Sequence, residues 1–208
     1  MCDSLQGFFF LHSLGGGTGS GLGSYILQDL KDIYPTVFRF STCVFPSNDD
    51  DVITSPYNSM LALNVLIDNA DCVLPVDNQA LFEIVSKVDS QYAKMKSQQA
   101  SEAGAIKSGT SVLEAGNQKK KENNFEKENS IVANVVNNLT CSMRFEGDLN
   151  VDLNEITMNM VPFPKMHFLQ SSLSPLYNLI NPKMLPRNID QSFHDAFDRS
   201  FQLIQQGE

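Results

Sequence analysis

The chain has 208 residues, 42% of them hydrophobic, and a net charge of -9, which is enough for one full-sized domain or one domain plus part of another. No run approaches the roughly 20 apolar residues of a membrane span, and Met1-Cys2-Asp3-Ser4 lacks the basic and apolar regions of a signal peptide, so no membrane is expected. The acidic balance speaks against nucleic acid held through phosphate contacts, yet leaves open a nucleotide gripped by main-chain amides.

In chain order, Phe8–His12 reads as a buried strand stopped by glycine. Leu22, Tyr25, Ile26, Leu30 and Ile33 then recur at helical spacing, and Pro35 ends that helix. Val37–Phe45 is a second strand closed by Pro46, followed by an acidic loop, Asn48-Asp49-Asp50-Asp51. A helix begins at Pro56, a third strand runs Cys72–Val76, and a short helix covers Asn78–Val88. Strands alternating with helices predict an α/β fold: a parallel, three-layer sheet covered on both faces. Residues 89–128 are rich in Gln, Ser, Lys, Glu, Ala and Gly, and are expected to form a long, disordered insertion. From Asn129, the stripe Ile131, Val132, Val135, Val136, Leu139 and Met143 predicts a central helix over 129–145. Residues 146–208 add a helix containing Met158, Met160 and Val161, then a strand, Met166–Gln170. The four cysteines, Cys2, Cys43, Cys72 and Cys141, and the three histidines stand apart, so reduced buried thiols and a cytoplasmic protein are expected, without a metal centre of its own side chains.

The first strand runs into HSLGGGTGSGLGSY, with six glycines in the nine positions 15–23. Glycine costs more backbone entropy to order than any other residue, and a plain turn needs one or two. Strand, glycines and helix together make a phosphate cradle: amides and the positive end of the helix dipole converge on an anion. The run lacks the Lys of GxxxxGK[ST], the spacing of GxGxxG and the outer glycines of GxSxG. The missing GxGxxG, with Phe45-Pro46 where an acid would close the second strand, also speaks against a third reading, a dinucleotide-binding oxidoreductase. A lysine-free phosphate loop remains.

GGGTGSG in this setting resembles the signature loop of the tubulin family and its bacterial cell-division relatives. The resemblance implies a Rossmann-like GTPase domain over 1–128, a central helix over 129–145 and the start of an intermediate domain over 146–208. It implies that Ser13, Gly15, Gly16, Gly17, Thr18, Gly19, Ser20 and Gly21 hold the phosphates of GTP or GDP, with Mg²⁺ in the full-length protein. Asp51 and Pro56-Tyr57-Asn58 match the family's ribose region, although Ser55 replaces an acid usual there. Asn78 and Asn129 match two amides that read the guanine edge, and Phe125 matches an aromatic stacked on the base. By its residues alone, Asn78 is equally a helix cap.

GDLNVDLNE is not a calcium loop, since Leu153 stands at the sixth position and Asn159 at the twelfth. In the family it is similar to the segment facing the next subunit. There Asp152 and Glu155, three residues apart on one helical face, would act on the neighbour's GTP by polarising a water. Glu155 matches the hydrolysis-activating alpha type rather than the beta type.

The insertion, with DDDVITSPYNS, ADCVLPVDNQ and NNFEKENSIVANVVNNLT, looks like the epsilon branch of the family, associated with centrioles and basal bodies. That implies a cytoskeletal protein whose partners are other tubulin subunits and centriolar microtubules. It also implies a fragment without the family's N- and C-terminal parts. Two functions stay open: a GTPase completed at a subunit contact, and a structural partner that never turns over.

Overall fold

Three strands, β1 (Gly7–Ser13), β2 (Phe38–Phe45) and β3 (Cys72–Asp77), form a parallel sheet in the order β1-β2-β3. The computed structural model describes residues 5–47, 52–102, 124–148, 150–175 and 188–204. Each parallel pair needs a crossover, and the two helices α1 (Gly23–Ile33) and α2 (Ser55–Asn69) provide them. Five of the six residues of β3 are buried, the pattern of a strand covered on both faces.

Alternation along the strands builds two cores. On one face Leu14, Cys43 and Val73 meet Leu27 of α1 and Ala62 and Leu66 of α2. On the other, Phe40, Cys72 and Leu74 meet Leu153, with Leu139, Met143 and Ile156 packed alongside. These last residues belong to α4 (Asn124–Leu139), α5 (Cys141–Arg144) and α6 (Leu153–Met160), so the expected three-layer α/β architecture is present. A third cluster joins Val76 and Leu81 to Leu203 and to Ile131, Val132 and Val135 of α4.

At the amino end of the strands Arg39 ties the crossovers together. Its side chain donates to the carbonyls of Asn69 (2.9 Å) and Tyr34 (3.3 Å), where α2 and α1 end. It also pairs with the Asp71 carboxylate at 3.0 Å, while Asp71 accepts the Arg39 N–H at 2.8 Å. A guanidinium here satisfies terminal carbonyls and suits the negative ends of both helix dipoles.

Several elements differ from expectation. The helix expected to stop at Val88 continues as α3 (Asn78–Glu102), so the first part of the segment expected to be disordered is helical. Its Gln, Lys, Ala, Met and Glu are good helix formers, and neither Gly nor Pro interrupts 78–102. Residues 103–123 lie outside the described residues. The central helix starts at Asn124 and breaks at Thr140, whose hydroxyl donates back to Val136 O at 2.8 Å. The strand expected over Met166–Gln170 reduces to one parallel bridge, Phe168 to Val73. Among the described residues two backbone bonds hold it, Val73 N–H to His167 O and Leu169 N–H to Val73 O, each 2.8 Å. The turn through Lys165, at φ 71°, sets that segment's direction immediately before the bridge. Burial pushes the Cys43 and Cys72 thiols up to about 12, as inert core groups. Cys141 is exposed, against expectation, and Cys2 lies outside the described residues. Past the bridge, α7 (Ile189–Phe197) and a 3₁₀ turn, Arg199–Phe201, bring Leu203 to the end of β3, where its carbonyl accepts the Asp77 N–H at 2.8 Å.

Candidate nucleotide site

β1 delivers the chain to the glycines in a fixed direction. The Leu14 N–H donates to Val44 O at 3.0 Å, extending the β1–β2 ladder by one residue, and Leu14 is fully buried. Asn58 of α2 then donates its amide to Gly15 O at 3.1 Å and to Thr54 Oγ1 at 3.4 Å. The loop is therefore held by both neighbouring elements before the helix begins.

The helix begins early. Gly17 is already in the right-handed helical region (φ -67°, ψ -38°), and Thr18–Leu22 form a single π turn that runs into α1. The Gly23 N–H is shared between Ser20 O and Thr18 O, the second contact being the five-residue bond of a π turn. Such turns recur at functional sites, and this one sits where a helix amino terminus presents unsatisfied N–H groups. Ser20 is buried, and its hydroxyl donates to Gly16 O at 2.5 Å, so it staples the loop from inside. Ser13 and Thr18 stand exposed at the rim.

The glycines fall into two groups. A β-carbon on Gly19 would lie 2.1 Å from Ser13 O, so there the chain's own packing demands glycine. Gly23 faces the His12 ring at 3.5 Å. By contrast, β-carbons on Gly17 and Gly21 would meet nothing within 4 Å. Neither has a positive φ, so neither conformation nor crowding requires glycine. Glycine in a helical position costs about 0.5–1 kcal/mol against Ala. Both glycines are exposed, and the space over them is open, so the backbone there can be approached closely where a side chain would stand in the way.

His12 supports this bend from beneath. Its Nε2 lies 2.9 Å from Ser41 Oγ, while its buried Nδ1 has no hydrogen-bond partner among the described residues. Burial holds its pKa below the ordinary value, partly offset by the adjoining backbone of Gly19 and Ser13.

The other expected contacts are distributed as follows. Asp51 lies outside the described residues. Ser55, the first residue of α2, is 2% exposed. Asn78 opens α3, but the cap is Asp77, whose carboxylate accepts the Gln79 N–H at 3.0 Å. That leaves the half-buried Asn78 amide without a hydrogen bond among the described residues. Phe125 and Asn129 are exposed on the first turns of α4, which α3 meets through Lys127 Nζ and Asp89 Oδ2 at 2.7 Å. Asp152 is the N-cap residue of α6, without a side-chain cap bond, and Glu155 follows in the first turn, both exposed.

Asp152 and Glu155 do not join the glycines. Leu153, between them, packs on Gly7 at the start of β1, whereas the glycines follow its end. Seven strand residues at about 3.3 Å each put about 20 Å between the two ends. Sequence reasoning missed Asn58 as a brace, although its position within SPYN was the available signal. It also missed Arg39 and Asp71, because a charge beside an apolar strand reads as a surface residue.

Comparison with known proteins identifies the family of the fold. Residues 1–86 match the GTPase domain of the Tubulin/FtsZ family. The chain is 53% identical over 98% of its length to the tubulin epsilon chain of Mus musculus and 52% identical to that of Homo sapiens. It is 37% identical over 84% of its length to the tubulin beta-1 chain of Chondrus crispus. It spans 42% of the length of each epsilon relative. A lysine-free glycine bend between a parallel strand and a helix, with this identity along nearly all of the chain, places the protein in the tubulin family.

Proposed function

We propose that this chain supplies the phosphate loop and base side of a guanine-nucleotide site in a tubulin-type subunit of centriolar or basal-body microtubules. The observation that carries the reading is the open space over Gly17 and Gly21, two helical glycines for which the fold has no need. GTP or GDP phosphates would lie there against main-chain N–H groups and the amino end of the π turn and α1, with Ser13 and Thr18 hydroxyls at the rim. Asn78 and Asn129 would read the guanine edge, amides suiting a face that both donates and accepts, and Phe125 would stack on the ring. Mg²⁺, which ordinarily keeps several waters, would be held largely through the phosphates.

Hydrolysis in this reading is completed between molecules. Glu155 and the glycine loop occupy opposite ends of β1, so a head-to-tail neighbour is needed to bring a carboxylate to the phosphates. Glu155 of that neighbour would accept a proton from water aligned for attack, and Asp152 beside it would hold the water. In the full-length protein, Glu155→Ala should leave nucleotide affinity unchanged and abolish assembly-coupled GTP hydrolysis. Unchanged turnover in assembled Glu155→Ala would favour the structural partner that does not hydrolyse its nucleotide. Absence of GTP binding by the wild type would remove both.

A further inference from the structure

We propose that Glu128 is a specificity residue for the base, its carboxylate accepting the N1–H and 2-amino donors of guanine. The inference rests on the nucleotide reading above and deepens it.

Phe125, Glu128, Asn129 and Val132 recur at i, i+3, i+4 and i+7 along α4 and form one stripe of that helix. At its inner end Val132, with Ile131 and Val135, packs against Val76 and Leu81, so the stripe leads to the carboxyl end of β3, where Asn78 opens α3. At its outer end Phe125 is 63% exposed. Between them Glu128 is 5% exposed, and it makes no hydrogen bond or ion pair with any described residue. The adjacent Lys127 turns away to Asp89.

A carboxyl on so covered a side chain, with no donor among the described residues, is unfavourable, and burial raises its pKa as expected. One turn further along stand Ile131 and Val132, and two turns along Val135, so an apolar side chain would suit the packing better. A donor arriving from outside resolves the conflict. The guanine edge offers two adjacent N–H donors, the complement of an acceptor-only carboxylate. Adenine has a bare acceptor at N1 and would face the carboxylate with repulsion. The amides of Asn78 and Asn129 can then serve the remaining edge of the ring.

The test compares GTP with ITP, whose base lacks the 2-amino group, as ligands of the full-length protein. Wild type should prefer GTP by about 10- to 100-fold, the worth of a hydrogen bond to a charged group. Glu128→Leu should bring the GTP:ITP ratio close to one, and Glu128→Gln, which keeps one acceptor, should fall between. Leucine suits the buried position, so the variant should melt no lower than wild type. A wild type that binds GTP but does not prefer it to ITP, or a folded Glu128→Leu that keeps the preference, overturns this inference alone. A wild type that binds neither GTP nor ITP overturns the nucleotide reading and this inference with it.

Discussion

Leu153 occupies the place that a side chain on Gly7 would need: a β-carbon there would lie 2.5 Å from Leu153 Cδ1 and 3.2 Å from Phe38 O. The contact docks the amino end of α6 on the first residue of β1, and thereby places Asp152 and Glu155 at the end of the sheet away from the glycines. Gly7→Ala should destabilise the protein by about 1–3 kcal/mol through overpacking. Leu153→Ala, which empties a buried position, should cost about 2–4 kcal/mol. Because the Leu153 truncation makes room for the Gly7 β-carbon, the double variant should be more stable than the sum of the two costs implies. A double-mutant cycle by urea unfolding measures this coupling, and strict additivity would contradict the contact.

The two kinds of glycine should separate stability from binding. Gly19→Ala drives a methyl into Ser13 O and should lower the melting temperature as well as abolish nucleotide binding. Gly17→Ala should keep or raise the melting temperature, by up to about 1 kcal/mol of helix propensity. It should still weaken GTP by at least about tenfold, or about 1.4 kcal/mol. Thermal melts run beside GTP titrations check both halves.

Asn58 is the brace between α2 and the loop. Asn58→Ala removes its bond to Gly15 O and should cost about 0.5–1.5 kcal/mol, expressed mainly as weaker nucleotide binding. Amide hydrogen exchange should rise at residues 15–18 while α2 stays protected.

Arg39→Met strands the Asp71 carboxylate and uncovers the carbonyls that end α1 and α2. Asp71 keeps some access to water, so the expected loss is about 2–4 kcal/mol, read from chemical unfolding. Arg39→Met with Asp71→Asn should recover part of it.

His12 gives a pH dependence of definite sign. Its folded pKa lies below the ordinary 6.5 because burial disfavours the imidazolium. Between the two pKa values the unfolded chain binds the proton and the folded chain does not. Stability contributed by neutral His12 is thus full above about 6.5 and falls as pH drops below it. His12→Gln should flatten that part of the stability profile.

The alternation of apolar runs with helical stripes made the parallel sheet and the helix-capped glycine bend legible in the sequence; the strand order came only with the structure. The extent of α3 was not legible, because Gln, Lys, Ser and Glu are read as solvated chain although each also tolerates a helix. Met166–Gln170 has strand composition, but composition does not reveal that, among the described residues, its pairing is a single bridge to Val73. At the site, the glycines and the two asparagines stand out as residue types. Asn58 and Arg39 matter through what faces them, Gly15 for the first and Asn69 and Asp71 for the second, and facing residues 30 or more positions away leave no local pattern.

The central claim is that the open faces of Gly17 and Gly21 receive the phosphates of a guanine nucleotide. Calorimetric titration of GTP into the full-length protein, its Gly17→Ala variant and its Gly21→Ala variant tests it most directly. The account predicts binding by wild type and a loss of at least about tenfold in each variant with the fold intact. Equal affinity in all three, or no GTP binding by wild type, would contradict it.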